Sequence, residues 1–440
     1  MNSKERLELA RWVVERTKKA GASDVSANIY NDRSVSVEYR DGALEKLEES
    51  TQNSLSLNIY ADNKYSGHST CDLRKETLGK FIEEAVAATK YLSKDEYRSL
   101  PDPKYYPKKT DIDLQIYDEY CHSVEPAFRK KTVAQIEKAA RAVSDKIISA
   151  SASYSDSVTE SVKVHSNGFE GSRRSTSFYI GSEATVADGE KGRPEDYSYA
   201  VTRYFKDLPD PDMIGREAAS RALKKIGQQK IESGKYIMVV ENRTAPRLIY
   251  TMFDPMTSRA LQQKSSYLDG MLDKKIASEK LTIMDDPHIP RALGSRIFND
   301  EGIALNKRYI IENGVLKNYL VDDYYGRKLK MEPNGGYPAN MIVAKGSRDQ
   351  SAIISDLPKA ILVTGFIGGN SNGTTGDFSF GIVGHLIENG RIVKPVNEMN
   401  ITGNGRDFWN TLIEVGNDPF AYSSAQVPTL VFDGVSFSGS

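Results

Sequence analysis

The stretch HLIENGRIVKPV (His385–Val396) sets an Asn-Gly pair between two apolar runs, and YIIENGVLKNYL (Tyr309–Leu320) has the same layout earlier in the chain. A tight hairpin turn needs positive φ at both central residues, which Asn and Gly tolerate best. Both stretches therefore predict antiparallel hairpins. They lie in a C-terminal unit, residues 231–440, that opens with the buried-strand pattern KYIMVV (Lys235–Val240). Helical stretches reach about Gln263, and short strands with Gly-marked turns follow.

Working back toward the N-terminus, two smaller units share an alternation of helix, strands and helix. Residues 1–92 begin with an amphipathic helix, Lys4–Ala20, ended at Gly21. Strand-like runs follow at Val25–Tyr30, Ser34–Tyr39, Ala43–Glu48 and Ser54–Tyr60, with a hairpin signal at Asp41-Gly42. A second helix spans Leu73–Tyr91. Residues 93–120, with Pro101, Pro103 and Pro107, have the composition of a linker.

Residues 121–230 predict a helix over Ser123–Ile147, with Ser123 as its N-cap. Strands follow at Ala150–Asp156, Glu160–Ser166, Ser172–Ala187 and Tyr197–Asp207, with a turn at His165–Gly168, then a helix over Asp212–Gly227. The fold class is α+β: two helix and antiparallel-strand units ahead of a mostly antiparallel β unit. The repeated alternation suggests duplication without any residue-level repeat.

Composition narrows the function. Charged residues make up 27% and the net charge is -1, so nothing favours nucleic acid as a standing partner. The N-terminal segment mixes charge into every turn, and no apolar run has membrane-spanning length. Two cysteines, Cys71 and Cys121, exclude a disulfide scaffold and fit a reducing cytoplasm.

Local motifs offer three chemistries, each with a plainer reading beside it. Gly368-x4-Gly373-Thr374-Thr375 has P-loop glycine spacing but puts Thr where the phosphate-binding Lys must stand. Around Ser379, Asp377 replaces the first Gly of a nucleophile elbow, and His385 lies too near in a strand to serve as base. Asp285-Asp286-Pro287-His288, with Asp300-Glu301, could offer oxygen ligands to Mg or Ca, yet such sequences are also what turns look like. The basic tracts Arg129–Lys131 and Arg173-Arg174 read as solvated faces.

Four longer segments carry a resemblance. Leu281–Leu329 (LTIMDDPHIPRALGSRIFNDEG…), Pro338–Gly346 (PANMIVAKG), Gly368–Asn404 and Gln426–Gly439 (QVPTLVFDGVSFSG) occur in the order of the TldD/PmbA family signatures. The first unit matches in outline. The chain thus resembles that family over its full length, most specifically in the C-terminal half. The resemblance implies a cytoplasmic zinc metallopeptidase complex of paired TldD and TldE (PmbA) subunits, cleaving small or unfolded peptides in a closed chamber. The TldD-type subunit holds zinc with a helical HExxxH and a Cys.

This chain departs from that pattern. Thr244–Lys264, the corresponding helix, has neither His nor Glu, and Asp418–Ser424 stands where the Cys would be. The resemblance is therefore to the TldE/PmbA type, with no cofactor in this chain and zinc expected in a TldD-like partner. By that analogy Asp285, Asp286, Asp300, Glu301, Asn340, Asp377, Ser379 and His385 shape the chamber or the subunit contact. Two other readings stay open: a homodimer that binds peptides or proteins without a catalytic partner, and a modulator of DNA gyrase.

Overall fold

In a computed structural model, residues 1–108, 111–190 and 192–439 are described. The chain starts with α1 (Ser3–Lys19), whose first turn is closed by a reciprocal pair: Asn2 accepts from the Glu5 amide and Glu5 accepts from the Asn2 amide. Then come β1 (Asp24–Arg40), β2 (Ala43–Ala61), β3 (Lys64–Thr70) and α2 (Lys75–Thr89). The next unit repeats the order as α3 (Pro126–Arg141), β4 (Ile147–His165), β5 (Glu170–Val186), β6 (Glu195–Thr202) and α4 (Pro211–Leu223).

The two units share one antiparallel sheet, ordered β3-β2-β1-β4-β5-β6, joined at its centre by β1 and β4. Side chains alternate across a strand, so Ile29 and Val37 of β1 and Tyr154 and Val164 of β4 point to one face. All four helices cover that face. Leu9, Val13, Leu78 and Ile82 bury Ile29, Leu57 and Ile59, while Val133, Ile136 and Ile214 pack on Val37, Tyr154 and Phe178. Each such fully buried Leu or Ile contributes about 1.5–3 kcal/mol.

Several strands are longer than the hydrophobic pattern predicts. Val25–Tyr30 and Ser34–Tyr39 are one strand, as are Ala43–Glu48 and Ser54–Tyr60, and the two halves of β4. The polar residues between them pair across strands: Asn31 donates to Asn53 at 3.0 Å, Thr159 to Asp32 at 2.8 Å, and Arg33 meets Glu49 at 2.6 Å. Helix α3 is shorter than expected. It is capped at Glu125 rather than Ser123 and stops by Ala142, because Ser144 turns the chain into β4.

The Pro-rich stretch 93–120 forms short 3-10 turns and lies against the C-terminal unit. There Arg327 donates to the Tyr97, Ser99 and Leu100 carbonyls. Lys109 and Thr110 of this stretch lie outside the described residues.

The C-terminal unit contains β7 (Gly234–Val240), α5 (Ala245–Met256), α6 (Ser258–Gln262), β8 (Ile283–Asp285), β9 (Arg308–Glu312), β10 (Val315–Leu316) and α7 (Asp323–Leu329). It continues through β11 (Met341–Val343), α8 (Gln350–Ser355), β12 (Lys359–Ser371), β13 (Asp377–Glu388), β14 (Arg391–Asn404) and α9 (Gly405–Phe408). It ends with β15 (Leu412–Val415), β16 (Ala425–Gln426) and β17 (Leu430–Gly439). One sheet runs β14-β13-β12-β7-β17-β15, and a further β14–β17 pairing curls it into a barrel-like closure. A smaller sheet, β10-β9-β8-β11-β16, lies beside it, and one apolar core joins both. Both predicted Asn-Gly turns form, with positive φ at Asn313, Gly314, Asn389 and Gly390. The Gly-rich stretch before the second is mostly strand, as the paired arms of β12 and β13.

Candidate functional cleft

The face of the long sheet opposite the helices turns toward the C-terminal unit. Where β5, β6 and α4 meet β12 and the start of α5, a cleft of about 620 Å³ opens. Its middle-unit wall carries Tyr197, and Arg243 reaches across from the β7–α5 corner. The Arg243 guanidinium stands 5.1, 5.5 and 5.2 Å from the rings of Tyr197, Tyr199 and Phe420, and 3.2 Å from Glu217. Cation–π contacts of this kind fasten the two units.

Deeper in, Arg221 makes a bidentate pair with Glu241 at 2.6 and 2.9 Å and also meets Asp196 at 3.2 Å. Lys225 approaches Asp196 at 3.1 Å. Burial works to raise the Asp196 carboxyl, but Arg221 and Lys225 overcome it and hold the group below its usual range.

The first turn of α5 and β12 form the other wall. β12 pairs with β7 only as far as Val363, so beyond that point one edge of β12 has no neighbouring strand. Thr244 Oγ1 donates to the Thr364 carbonyl at 2.8 Å, and Arg247 donates to Phe366 and Gly368 carbonyls at 3.1 and 2.6 Å. These bonds cap alternate carbonyls along an edge that would otherwise invite another strand. Arg247 lies in the first turn of α5, where the helix dipole disfavours a cation. That placement is the one sequence signal that could have marked it.

The exposed face of α5 presents Arg247, Tyr250 and Asp254, with Thr251 half-buried beside them. Zinc is held by His nitrogen, Cys sulfur or Asp and Glu oxygen, almost always in a tetrahedral set. Among the described residues, no three His, Cys, Asp or Glu side chains converge in a group that could hold a metal. On the exposed face of this helix only Asp254 is of a residue type that ligates zinc.

The eight residues singled out from the sequence fall in four places. Asp285, Asp286 and Asn340 form one knot. Asp285 Oδ1 accepts from the Ala339 and Asn340 amides at 2.8 and 3.3 Å, and Asn340 accepts from Gly294 N and donates to the Asp286 carbonyl. Burial raises the Asp285 carboxyl, although Arg308 stands 3.4 Å away. Asp286 meets Lys307 at 3.2 Å. This knot stitches β8 to β11.

Asp300 and Glu301 belong to a second, smaller cavity of about 120 Å³, shared with Tyr60, Arg98, His165 and Asp323. Burial pushes Glu301 up to about 7 and His165 down to about 3. Glu301 accepts from the Asp323 amide at 3.2 Å, and Arg98 lies between the rings of Tyr65 and Tyr324. This cavity is the joint of the long sheet, the 93–120 stretch and α7.

Asp377 is exposed at the β12–β13 tip. The Thr375 hydroxyl at 2.7 Å and Asn404 at 2.8 Å hold its carboxyl below the usual range. Ser379 is a strand residue opposite Thr402. His385 is buried against α4, where Nε2 donates to the Lys224 carbonyl at 3.2 Å and burial lowers the imidazole. None of the eight lines the large cleft; Arg221, Glu241, Arg243 and Arg247 organise it instead.

Comparison with known proteins places this architecture. Residues 119–226 match the family described as the PmbA/TldA metallopeptidase central domain, and residues 233–439 match its C-terminal domain. The chain belongs to the PmbA/TldD family. Across 440 residues it is 30% identical to a metalloprotease PmbA homologue from Haemophilus influenzae, covering 97% of this chain and 95% of that one. A solved Bacteroides thetaiotaomicron structure, carrying the provisional label of a modulator of DNA gyrase, superposes with TM-score 0.97 at 39% identity over all of both chains. TldE from Thermococcus kodakarensis superposes with TM-score 0.87 at 20% identity, covering 98% of this chain and 100% of that one, which speaks to the PmbA/TldD fold alone. Among the described residues, no helix is long and apolar enough to cross a membrane.

Proposed function

We propose that this PmbA/TldD-family chain is the TldE/PmbA-type partner subunit of a cytoplasmic zinc metallopeptidase. In this reading it shapes the chamber that admits small or unfolded peptides and leaves zinc chemistry to a TldD-like subunit bearing HExxxH. One observation carries it: α5, whose first turn reaches the large cleft through Arg247, has no His and no Glu, and its exposed face presents Arg247, Tyr250 and Asp254. Arginine and tyrosine cannot replace neutral imidazoles as zinc donors.

The cleft's other features suit a positioning role. Aromatic rings and guanidinium groups bind polypeptide without cutting it. The acids Asp285 and Asp286 are tied to Arg308 and Lys307, so they act as structural pins rather than general bases.

The test is reconstitution. The chain is purified alone and mixed with an HExxxH-bearing family member from the same genome, and cleavage of an unstructured peptide is followed by mass spectrometry. Cleavage only in the mixture, abolished by chelator, is expected. Cleavage by this chain alone would refute the assignment, and failure to associate with any such partner would favour the homodimeric binding protein.

A further inference from the structure

Buried polar groups in folded proteins nearly always find partners, so a cluster of exceptions points to a missing ligand. Ten buried side-chain atoms lack a hydrogen-bond partner among the described residues. Six belong to one neighbourhood; Arg308 Nε and Asp285 Oδ2 face each other at 3.4 Å, which leaves Arg173 Nε, Arg203 Nε, Arg296 Nε and His288 Nε2 with nothing opposite. This neighbourhood lies where β5 meets the segment 287–308 between β8 and β9.

Three observations tie the group together. Arg203 is 9% exposed and donates to the Thr176 carbonyl of β5 at 2.8 Å and to the Leu293 carbonyl of the C-terminal unit, so it bridges the two sides. The Arg296 amide donates to the Pro287 carbonyl at 3.0 Å, bringing Arg296 to the turn that carries His288. Phe298 of the same segment packs at 5.1 Å on Phe169 and closes over Gly171, two residues from Arg173.

The charge balance is one-sided. Asp285 has Arg308 and Asp286 has Lys307. Arg173, Arg203 and Arg296 have no carboxylate within ion-pair distance among the described residues, although the Asp300 charge is felt at Arg173 and the Arg296 charge at Asp285. Burial, and then Arg296, lowers Arg173; burial, and then Arg173, lowers Arg203 to about 10. Sequestering guanidinium groups beside one another without a matching number of carboxylates is unfavourable. In sequence Arg173-Arg174 reads as a solvated face. That holds for Arg174, which meets Glu160 at 2.7 Å and stacks on Tyr117, and fails for Arg173, which faces the junction.

We propose that Arg173, Arg203 and Arg296 form a binding site for a small oxyanion, a phosphate or a carboxylate, at the junction of β5 and the 287–308 segment. A guanidinium fork matches the oxygen spacing of either group and donates two parallel hydrogen bonds. The acids at 285 and 286 read in sequence as candidate cation ligands. Here each is ion-paired, Asp285 to Arg308 and Asp286 to Lys307, and the guanidinium groups of Arg173, Arg203 and Arg296 beside them leave a site of the opposite sign. The oxyanion would join the long sheet to the C-terminal unit, independently of whether a peptidase partner is engaged.

The test compares inorganic phosphate, acetate and a short peptide with a free C-terminal carboxylate against chloride at matched ionic strength. Bound oxyanion is expected to raise the Tm of the full chain by about 2–4 °C above chloride. The response should vanish in Arg173→Gln and in Arg296→Gln, neither of which removes a side-chain hydrogen bond made among the described residues. Titration calorimetry with phosphate, well below the melting temperature, keeps the test valid if a variant melts low. A response to phosphate alone identifies a phosphate source, and one to the peptide but not its C-terminal amide identifies a carboxylate source. Equal effects of all anions including chloride, or binding retained in both variants, would overturn the proposal.

Discussion

The two halves of the long sheet share an element order but differ in how tightly each is closed. In the first, α1 and α2 cover β1 and β2, while residues 43–49 of β2 stay exposed on both faces. In the second, α3 and α4 press together over β4–β6, and the opposite face is taken up by the C-terminal unit. One residue type shows the difference. Gly79 and Gly215 each occupy the fifth position of their half's closing helix. A Cβ at Gly79 would meet nothing within 4 Å, whereas one at Gly215 would come within 2.1 Å of the Ile136 carbonyl oxygen. The closing helix has open space at Gly79 in the first half and none at Gly215 in the half that supports the cleft.

The largest predicted break in this comparison is electrostatic. In the second half Arg129 and Asp156 pair at 2.7 Å, with side chains only 6% and 2% exposed. Asp156→Ala strands a buried guanidinium and should cost about 3–5 kcal/mol by denaturant unfolding. In the first half the Arg33–Glu49 pair is solvent-exposed, and Glu49→Ala should change stability by about 0–1 kcal/mol. Equal losses would erase the distinction.

Helix contacts come next. Gly215→Ala must push α4 off α3 and should destabilise by about 1–3 kcal/mol. Gly79→Ala has room and gains helix propensity, so it should stabilise by about 0.5–1 kcal/mol. Chemical denaturation of both variants checks the pair, and matching signs would refute the packing argument.

The last contrast concerns the joint between the halves and the C-terminal unit. Burial raises Glu301 to about 7, above its unfolded carboxyl value. The folded state therefore holds a proton that the unfolded state releases. This contribution is complete below the unfolded pKa and lost as pH rises through about 7. Glu301→Gln should flatten the fall in stability between roughly pH 4.5 and 7. An unchanged profile would show that Glu301 titrates normally.

These contrasts also explain what could be read from sequence. Turns at Asp41-Gly42, Asn313-Gly314 and Asn389-Gly390 were legible because positive φ restricts residue choice locally. The helix–strands–helix alternation was legible from apolar spacing. The joining of β1 to β4 was not, since antiparallel pairing between distant segments leaves no local mark. Nor was the length of β2, because LEKLEESTQN is polar on both faces and shows no alternation.

The large cleft was hidden for a related reason. Arg221, Arg243 and Arg247 look like ordinary surface cations until the fold brings Glu241, the aromatic rings and the β12 edge to meet them. The family signatures led instead to Asp285, Asn340 and His385, which hold the fold together around the site.

The direct measurement of the central claim is metal content. The purified chain is equilibrated with zinc, desalted and assayed by elemental mass spectrometry, alone and with an HExxxH-bearing partner. The account predicts far less than one zinc per molecule of this chain alone and stoichiometric zinc only in the partnered complex. Stoichiometric zinc in this chain by itself, with chelator-sensitive peptide cleavage, would contradict it.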